Sequence, residues 1–223
     1  MDKRFIGILV VIAAIFIGIA AFAGHSKNNS NNGSSNSTQP TNHVEGLGKS
    51  GVKLVEYGDY ECPVCEAYYP TMKQVAAKYS DQIYFQFRNL PLTAVHPNAF
   101  AGARAAEAAA MQNKFWQMHD TLYDNQNSWA SASNPTTYFN QYAQDLNLNV
   151  TKFKQDFSSS QVNALITADL AAFSKTGQEQ GTPTFFLDGK YISNTQLVDQ
   201  NGQPSLDKFS KIIDNEIAQK NKS

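Results

Sequence analysis

Val52-Lys53-Leu54-Val55-Glu56-Tyr57-Gly58-Asp59-Tyr60-Glu61-Cys62-Pro63-Val64-Cys65 is the stretch on which the fold turns. Its first six residues carry the Val, Leu and Tyr of a strand, and Gly58 to Glu61 supplies the turn out of it. Pro63 stands in the first turn of a helix, where an N–H has no intrahelical partner and proline is tolerated best. Behind it Tyr68, Met72, Val75, Ala76 and Tyr79 recur at helical spacing, which predicts a helix of about 16 residues. Pro70 falls inside that helix and is expected to kink it. Ile83, Phe85 and Phe87 then alternate with Tyr84, Gln86 and Arg88, the period of a strand. The three elements make a β-α-β unit with both cysteines at the carboxyl end of its first strand. Open α/β sheets place their functional sites at that edge.

Downstream, the pattern from about Pro97 to Thr176 is helical throughout. Ala99 to Ala110 is Ala-rich, Phe115, Met118 and Leu122 form an apolar stripe, and Asn134-Pro135 reads as an N-cap followed by proline at the first helical position. Val162, Leu165, Ile166, Leu170 and Phe173 form another stripe, closed by Gly177. Strand character returns at Thr184-Phe185-Phe186-Leu187, and Asp188-Gly189 is a hairpin turn leading into Tyr191-Ile192. A last helix carries Leu206, Phe209, Ile213 and Ile217 on one face. The outline is β-α-β, a helical block, then β-β-α.

The 223 residues have room for one domain of ordinary size plus a tail. Net charge is −1 with Lys and Arg spread along the chain, so the clustered basic face of a nucleic-acid binder is not present in the sequence. Two cysteines, three positions apart, cannot staple a small fold. At a helix start the first of them meets unpaired N–H groups and the positive end of the helix dipole, both of which favour a thiolate. Cys62 is therefore the candidate nucleophile, and Cys65, one turn further in, the candidate resolving thiol. Half of a zinc site and an inert structural disulfide are the other readings. Zinc needs about four ligands, and the four histidines are scattered. Asp59 and Glu61 read as solvated turn residues whose charge works against the thiolate. His96, His119, Trp116 and Trp129 read as packing or capping residues, with a peptide groove as the alternative for the aromatics.

Val55 to Cys65 resembles the active-site segment of the DsbA-like thiol–disulfide oxidoreductases of the thioredoxin superfamily, in particular their membrane-anchored or secreted bacterial branch. The likeness continues through Asn113-Lys114-Phe115-Trp116-Gln117-Met118-His119-Asp120. It ends with Gly181-Thr182-Pro183-Thr184-Phe185-Phe186, similar to the family's proline loop, and so covers essentially all of residues 50–220. One CxxC is a weak signal; strand, Cys-Pro-x-Cys, helical insertion and Thr-Pro before a strand, in this order, is a specific one. The resemblance implies an α/β thioredoxin fold over residues 46–223, with a helical insertion over about 97–177. It implies that Pro183 is cis and packs beside the Cys62–Cys65 pair. It also implies that Glu56 is a buried acid relaying protons to the inner cysteine. Thr182, with Pro63 and Val64, is expected to meet an extended substrate segment. No metal and no cofactor beyond the redox-active Cys62–Cys65 disulfide is expected.

The N-terminus adds a location. Phe5 to Ala23 is an unbroken apolar run of 19 residues, about 28 Å long as a helix and close to a bilayer core of about 30 Å. Lys3 and Arg4 precede it, so residues 1–24 read as a single-pass anchor with the rest of the chain outside the cytoplasm. Ala21-Phe22-Ala23 keeps a cleaved signal peptide, and hence secretion, open. Residues 25–45, rich in Asn and Ser, read as a flexible linker. Three directions of electron flow share the site: disulfide donor, reductase and isomerase. An isomerase usually needs a dimerisation module, and none is visible. The insertion and the Gly-Thr-Pro-Thr loop resemble the oxidant branch, so the donor is preferred, as a monomer acting on exported proteins. The family implies a membrane quinone-linked thiol oxidase as reoxidant. A non-catalytic thioredoxin-fold module that binds peptides or acts as a chaperone is the alternative of another class.

Overall fold

A computed structural model describes residues 38–222 of the chain. Five strands form one sheet: β1 (His43–Glu45), β2 (Val52–Gly58), β3 (Ile83–Asn89), β4 (Thr184–Leu187) and β5 (Lys190–Ile192), in the order β1-β3-β2-β4-β5. β2 and β3 run parallel in the register Val52 to Ile83 through Gly58 to Asn89, joined by helix α1 (Pro63–Lys78). β4 pairs antiparallel with β2, placing Thr184 opposite Tyr57, and β5 returns antiparallel on β4. The return turn is made by Asp188 and Gly189, both at positive φ (47° and 80°), the geometry that a tight hairpin with right-handed strand twist requires.

One face of the sheet buries Val52, Leu54, Phe85, Phe185 and Leu187 under Tyr68, Met72 and Val75 of α1 and Phe209 and Ile213 of α8 (Leu206–Lys220). Each such side chain contributes roughly 1.5–3 kcal/mol on burial. The helix α1 runs unbroken through the exposed Pro70. Between β3 and β4 lies the helical insertion: α2 (Ala99–Ala110), α3 (Phe115–Asp124), the short α4 (Gln126–Trp129), α5 (Thr136–Asp145), α6 (Val150–Phe157) and α7 (Ser160–Ser174). Its core is built on Met118, Leu122, Trp129, Phe139 and Phe153, and that core reaches Tyr60, Phe87, Cys62 and Cys65. Phe173 and Leu170 of α7 cover Tyr57, Leu90 and Phe186 on the other face of the sheet. The cysteines thus sit where the insertion meets the end of β2.

Regular structure reaches into the stretch that composition marks as linker. The stretch 25–45, expected to be linker throughout, contains β1, paired antiparallel with β3 from His43–Phe87 to Glu45–Phe85. The segment is fastened by polar contacts. Thr41 donates its N–H and its hydroxyl to Asp169 (2.8 and 2.7 Å), and His43 bonds Glu107 (2.8 Å) and stacks on Phe115 at 3.5 Å. Asn89 joins the two buried acids from β3, its side chain to Glu107 at 2.7 Å and its backbone N–H to Asp169 at 2.9 Å. The anchor run Phe5–Ala23 and the linker up to residue 37 lie outside the described residues. Among the described residues, no helix is long and apolar enough to cross a membrane.

Candidate active site

Cys62 is the N-cap of α1, with extended backbone (φ −71°, ψ 122°) and Pro63 directly behind it. This position leaves the first N–H groups of the helix free to face Sγ. Pro63 and Val64 are exposed beside it, Val64 by 48%. Cys65, one turn further in, is completely buried. Both are free thiols. The thiol of Cys62 is pulled down to about 5: the Cys65 side chain is the largest cause, burial opposes it, and the Thr182 side chain with the backbone N–H groups of Cys65 and Val64 adds to the lowering. Cys65 goes the opposite way, pushed far up by burial and by the neighbouring Cys62 and Glu56.

The loop before β4 closes the site. The Thr182–Pro183 peptide bond is cis, and the Thr182 carbonyl accepts the Cys62 thiol at 3.5 Å. The Thr184 hydroxyl donates to the Gly181 carbonyl (2.6 Å) and Asn194 Nδ2 to the Pro183 carbonyl (2.9 Å), which fix the loop from both sides. Glu56, on β2 between Phe87 and Phe185 of the flanking strands, is buried to 3% exposure. That burial alone pushes its carboxyl up to about 8. The fold therefore brings Cys62, Cys65, Glu56, Thr182 and Pro183 to one end of the sheet.

Two residues depart from expectation. Asp59 and Glu61 are buried, not solvated. Asp59 Oδ1 accepts the Glu61 N–H (2.8 Å), while Oδ2 accepts the Leu92 N–H (3.0 Å) and meets His96 Nδ1 (2.7 Å). Glu61 accepts the Asn98 N–H at 2.5 Å. The reason is the segment that leaves β3: it brings unpaired donors onto the cysteine turn, and buried donors demand acceptors. Gln126 of α4 completes the clamp, donating to the carbonyls of Tyr60 (2.8 Å) and Cys62 (3.0 Å). Nothing local in the sequence marks Gln126. A hint for the acids existed, since no Lys or Arg falls between Lys53 and Lys73 to pair with them. His119 and Trp129 are buried packing residues. His119 Nδ1 lies 3.1 Å from the Tyr60 hydroxyl, and burial holds its imidazole neutral, pushed down to about 3. Trp116 lines a cavity of about 280 Å³ with Glu45, Tyr69, Met72, Lys73 and Asp120, between α1 and α3. Among the described residues, no group of three or more His, Cys, Asp or Glu is placed to hold a metal ion.

A β-α-β unit with a Cys-Pro-x-Cys helix start, a cis proline beside it and a helical insertion defines a thioredoxin-type fold of the DsbA kind. The sequence profile of the family described as Thioredoxin matches residues 38–215, and the chain belongs to the thioredoxin family. Among solved structures, it is similar to BdbD from Bacillus subtilis (TM-score 0.64, 21% identity, covering 82% of this chain and 97% of that one). It is also similar to α-DsbA1 from Wolbachia pipientis (TM-score 0.65, 20% identity, 82% and 94%). A thioredoxin-like oxidoreductase from Silicibacter pomeroyi gives TM-score 0.63 at 22% identity, over 80% and 93%. Among curated proteins, it is 36% identical over 148 residues to Na(+)/H(+) antiporter NhaA 3 of Salinispora tropica; the match covers 66% of this chain and 22% of that protein. The chain thus spans about a fifth of the length of the curated relatives it matches.

Proposed function

We propose that this chain is an extracytoplasmic thiol–disulfide oxidoreductase that donates its Cys62–Cys65 disulfide to exported proteins as they fold. The observation that carries the reading is the opposed environment of the two sulfurs, Cys62 favoured as thiolate and Cys65 held as thiol. A substrate thiolate attacks Sγ of Cys62, the intramolecular S–S bond breaks, and Cys65 leaves as a thiolate that must take a proton. Glu56 is the nearby donor, since its carboxyl keeps its proton at neutral pH. A second substrate thiolate then attacks the substrate sulfur of the mixed disulfide and releases Cys62 as thiolate. Two electrons have passed from the substrate dithiol to the pair. A stabilised leaving thiolate makes the pair oxidising, at about 1.4 kcal/mol per 30 mV. The exposed Pro63 and Val64 and the Thr182–Pro183 backbone are the surface on which an extended substrate segment lies.

The apolar run behind Lys3-Arg4 supports an anchor, or failing that an export signal, with the domain on the outer side of the membrane. The protein acts as a monomer in this reading, and a membrane quinone-linked thiol oxidase, implied by the family, restores the disulfide. The test is oxidation of a reduced, unfolded protein by the oxidised domain. Wild type introduces disulfides, and Cys62→Ser introduces none; Cys65→Ser, loaded beforehand as a Cys62–glutathione mixed disulfide, exchanges glutathione for a substrate thiol and is trapped as the Cys62–substrate mixed disulfide. Full activity of Cys62→Ser contradicts the reading and favours a peptide-binding module.

A further inference from the structure

One buried pair has no part in the chemistry above. Asp59 lies in the turn that delivers Cys62, its carbonyl accepting the Cys62 N–H at 3.1 Å. Its side chain is wholly shielded from solvent, whereas that of its partner His96 is 18% exposed. A buried carboxylate three residues before the nucleophile opposes a thiolate there. The groups around the imidazole come from two elements: Asp59 and Glu61 from the turn, and Cys62 from the start of α1. Glu61 is itself tied to the Asn98 N–H ahead of α2, and the Tyr123 hydroxyl of α3 sits on the Asp59 carbonyl at 3.5 Å. Two carboxylates and a nascent thiolate thus surround His96.

Resting on the oxidoreductase reading of Cys62, we propose that Asp59 and His96 are positioning residues that set the oxidising power of the disulfide by charge. While His96 holds its proton, the pair is neutral overall and the Cys62 thiolate is favoured. Once His96 releases it, the Asp59 carboxylate acts on Cys62 uncompensated and the disulfide is a weaker oxidant. The proton affinity of His96 agrees in direction: partial burial works against the charge, but the Asp59 bond and charge, then Cys62 and Glu61, raise it above the ordinary histidine value. Such coupling is reciprocal, so reducing the disulfide helps His96 keep its proton. Two glutathione thiols supply two electrons and two protons and leave as glutathione disulfide. One proton ends on Cys65, and above the titration of Cys62 the other is shared between solvent and His96.

The experiment is the equilibrium with glutathione from about pH 5 to about pH 9, the span of histidine and cysteine titration, for wild type, His96→Asn, Asp59→Asn and the double variant. The wild-type reduction potential, read from that equilibrium, is expected to fall with pH more steeply than one proton per two electrons in the neutral range. His96→Asn lowers the equilibrium constant for reduction about tenfold near pH 6, the effect of one nearby charge in a partly screened site. The gap closes towards pH 9, and Asp59→Asn in the same background restores the constant. A variant that tracks wild type at every pH overturns the proposal, as does a pH-independent loss that Asp59→Asn does not reverse. If the variants do not fold, the wild-type profile decides: a slope of one proton throughout the neutral range overturns it. A wild type that exchanges no disulfide with glutathione overturns the oxidoreductase reading, and this inference with it.

Discussion

Glu56 occupies a strand position where its neighbours Leu54 and Tyr57 are buried apolar or aromatic side chains, and it is buried as deeply as they are. Its folded-state carboxyl, pushed up to about 8, lies above the unfolded value of about 4.5. As pH rises past about 4.5, the unfolded chain ionises while the folded protein does not, so stability falls until both are ionised near pH 8. The Glu56→Gln variant keeps the shape and removes the charge. Urea denaturation should find it no more stable than wild type near pH 4 and, at about 1.4 kcal/mol per pH unit, more stable by about 3 kcal/mol near pH 7. A difference that does not change with pH contradicts a buried, titrating carboxyl. At this scale the sequence was most legible where chemistry was contiguous: Cys62, Pro63, Val64 and Cys65 declare themselves. Asp59 and Glu61 were not legible, because acids in a turn are ordinarily solvated. Their burial depends on donors of Leu92, His96 and Asn98 more than 30 positions away.

Among the elements, periodicity located β2, β3, β4, α1 and α8, whose apolar faces meet in a single core. In the helical block it marked Ala99–Ala110, the Phe115 stripe, the start at Asn134-Pro135 and the Val162–Phe173 stripe, but not every break. Two of the block's breaks hold Asn113 and Asn147, single residues in the left-handed region (φ 60° and 57°) that interrupt no hydrophobic pattern. Nor could it find β1, three residues long and held by Thr41, His43, Asp169 and Glu107 in place of an apolar stripe. The insertion matters to the site through α4. Replacing Gln126 by Ala removes its bonds to the Tyr60 and Cys62 carbonyls. The Cys62 carbonyl keeps the Glu66 N–H (3.1 Å), but the Tyr60 carbonyl is left unpaired, and a buried acceptor left unpaired costs about 1–3 kcal/mol, so Gln126→Ala should lower the unfolding free energy by about 1–3 kcal/mol. Denaturant titration at constant m-value checks this. A loss under about 0.5 kcal/mol, the range of an ordinary surface change, contradicts the clamp.

For the whole molecule, the compact unit starting at Thr38 and the family match over residues 38–215 agree on where the working domain begins. Order along the chain made the fold legible: strand, cysteine helix, insertion and proline loop follow one another as the thioredoxin family requires. The direction of electron flow is set by a balance that no pattern records. The helix start, Cys65 and Thr182 favour the Cys62 thiolate, while burial opposes it. The measurement that tests the account most directly is the reduction potential of the purified domain at equilibrium with glutathione. A disulfide donor with so stabilised a thiolate is predicted to lie near that of the strong oxidants, about −120 mV. A value near about −270 mV, that of reducing thioredoxins, contradicts the donor and makes the protein a reductase.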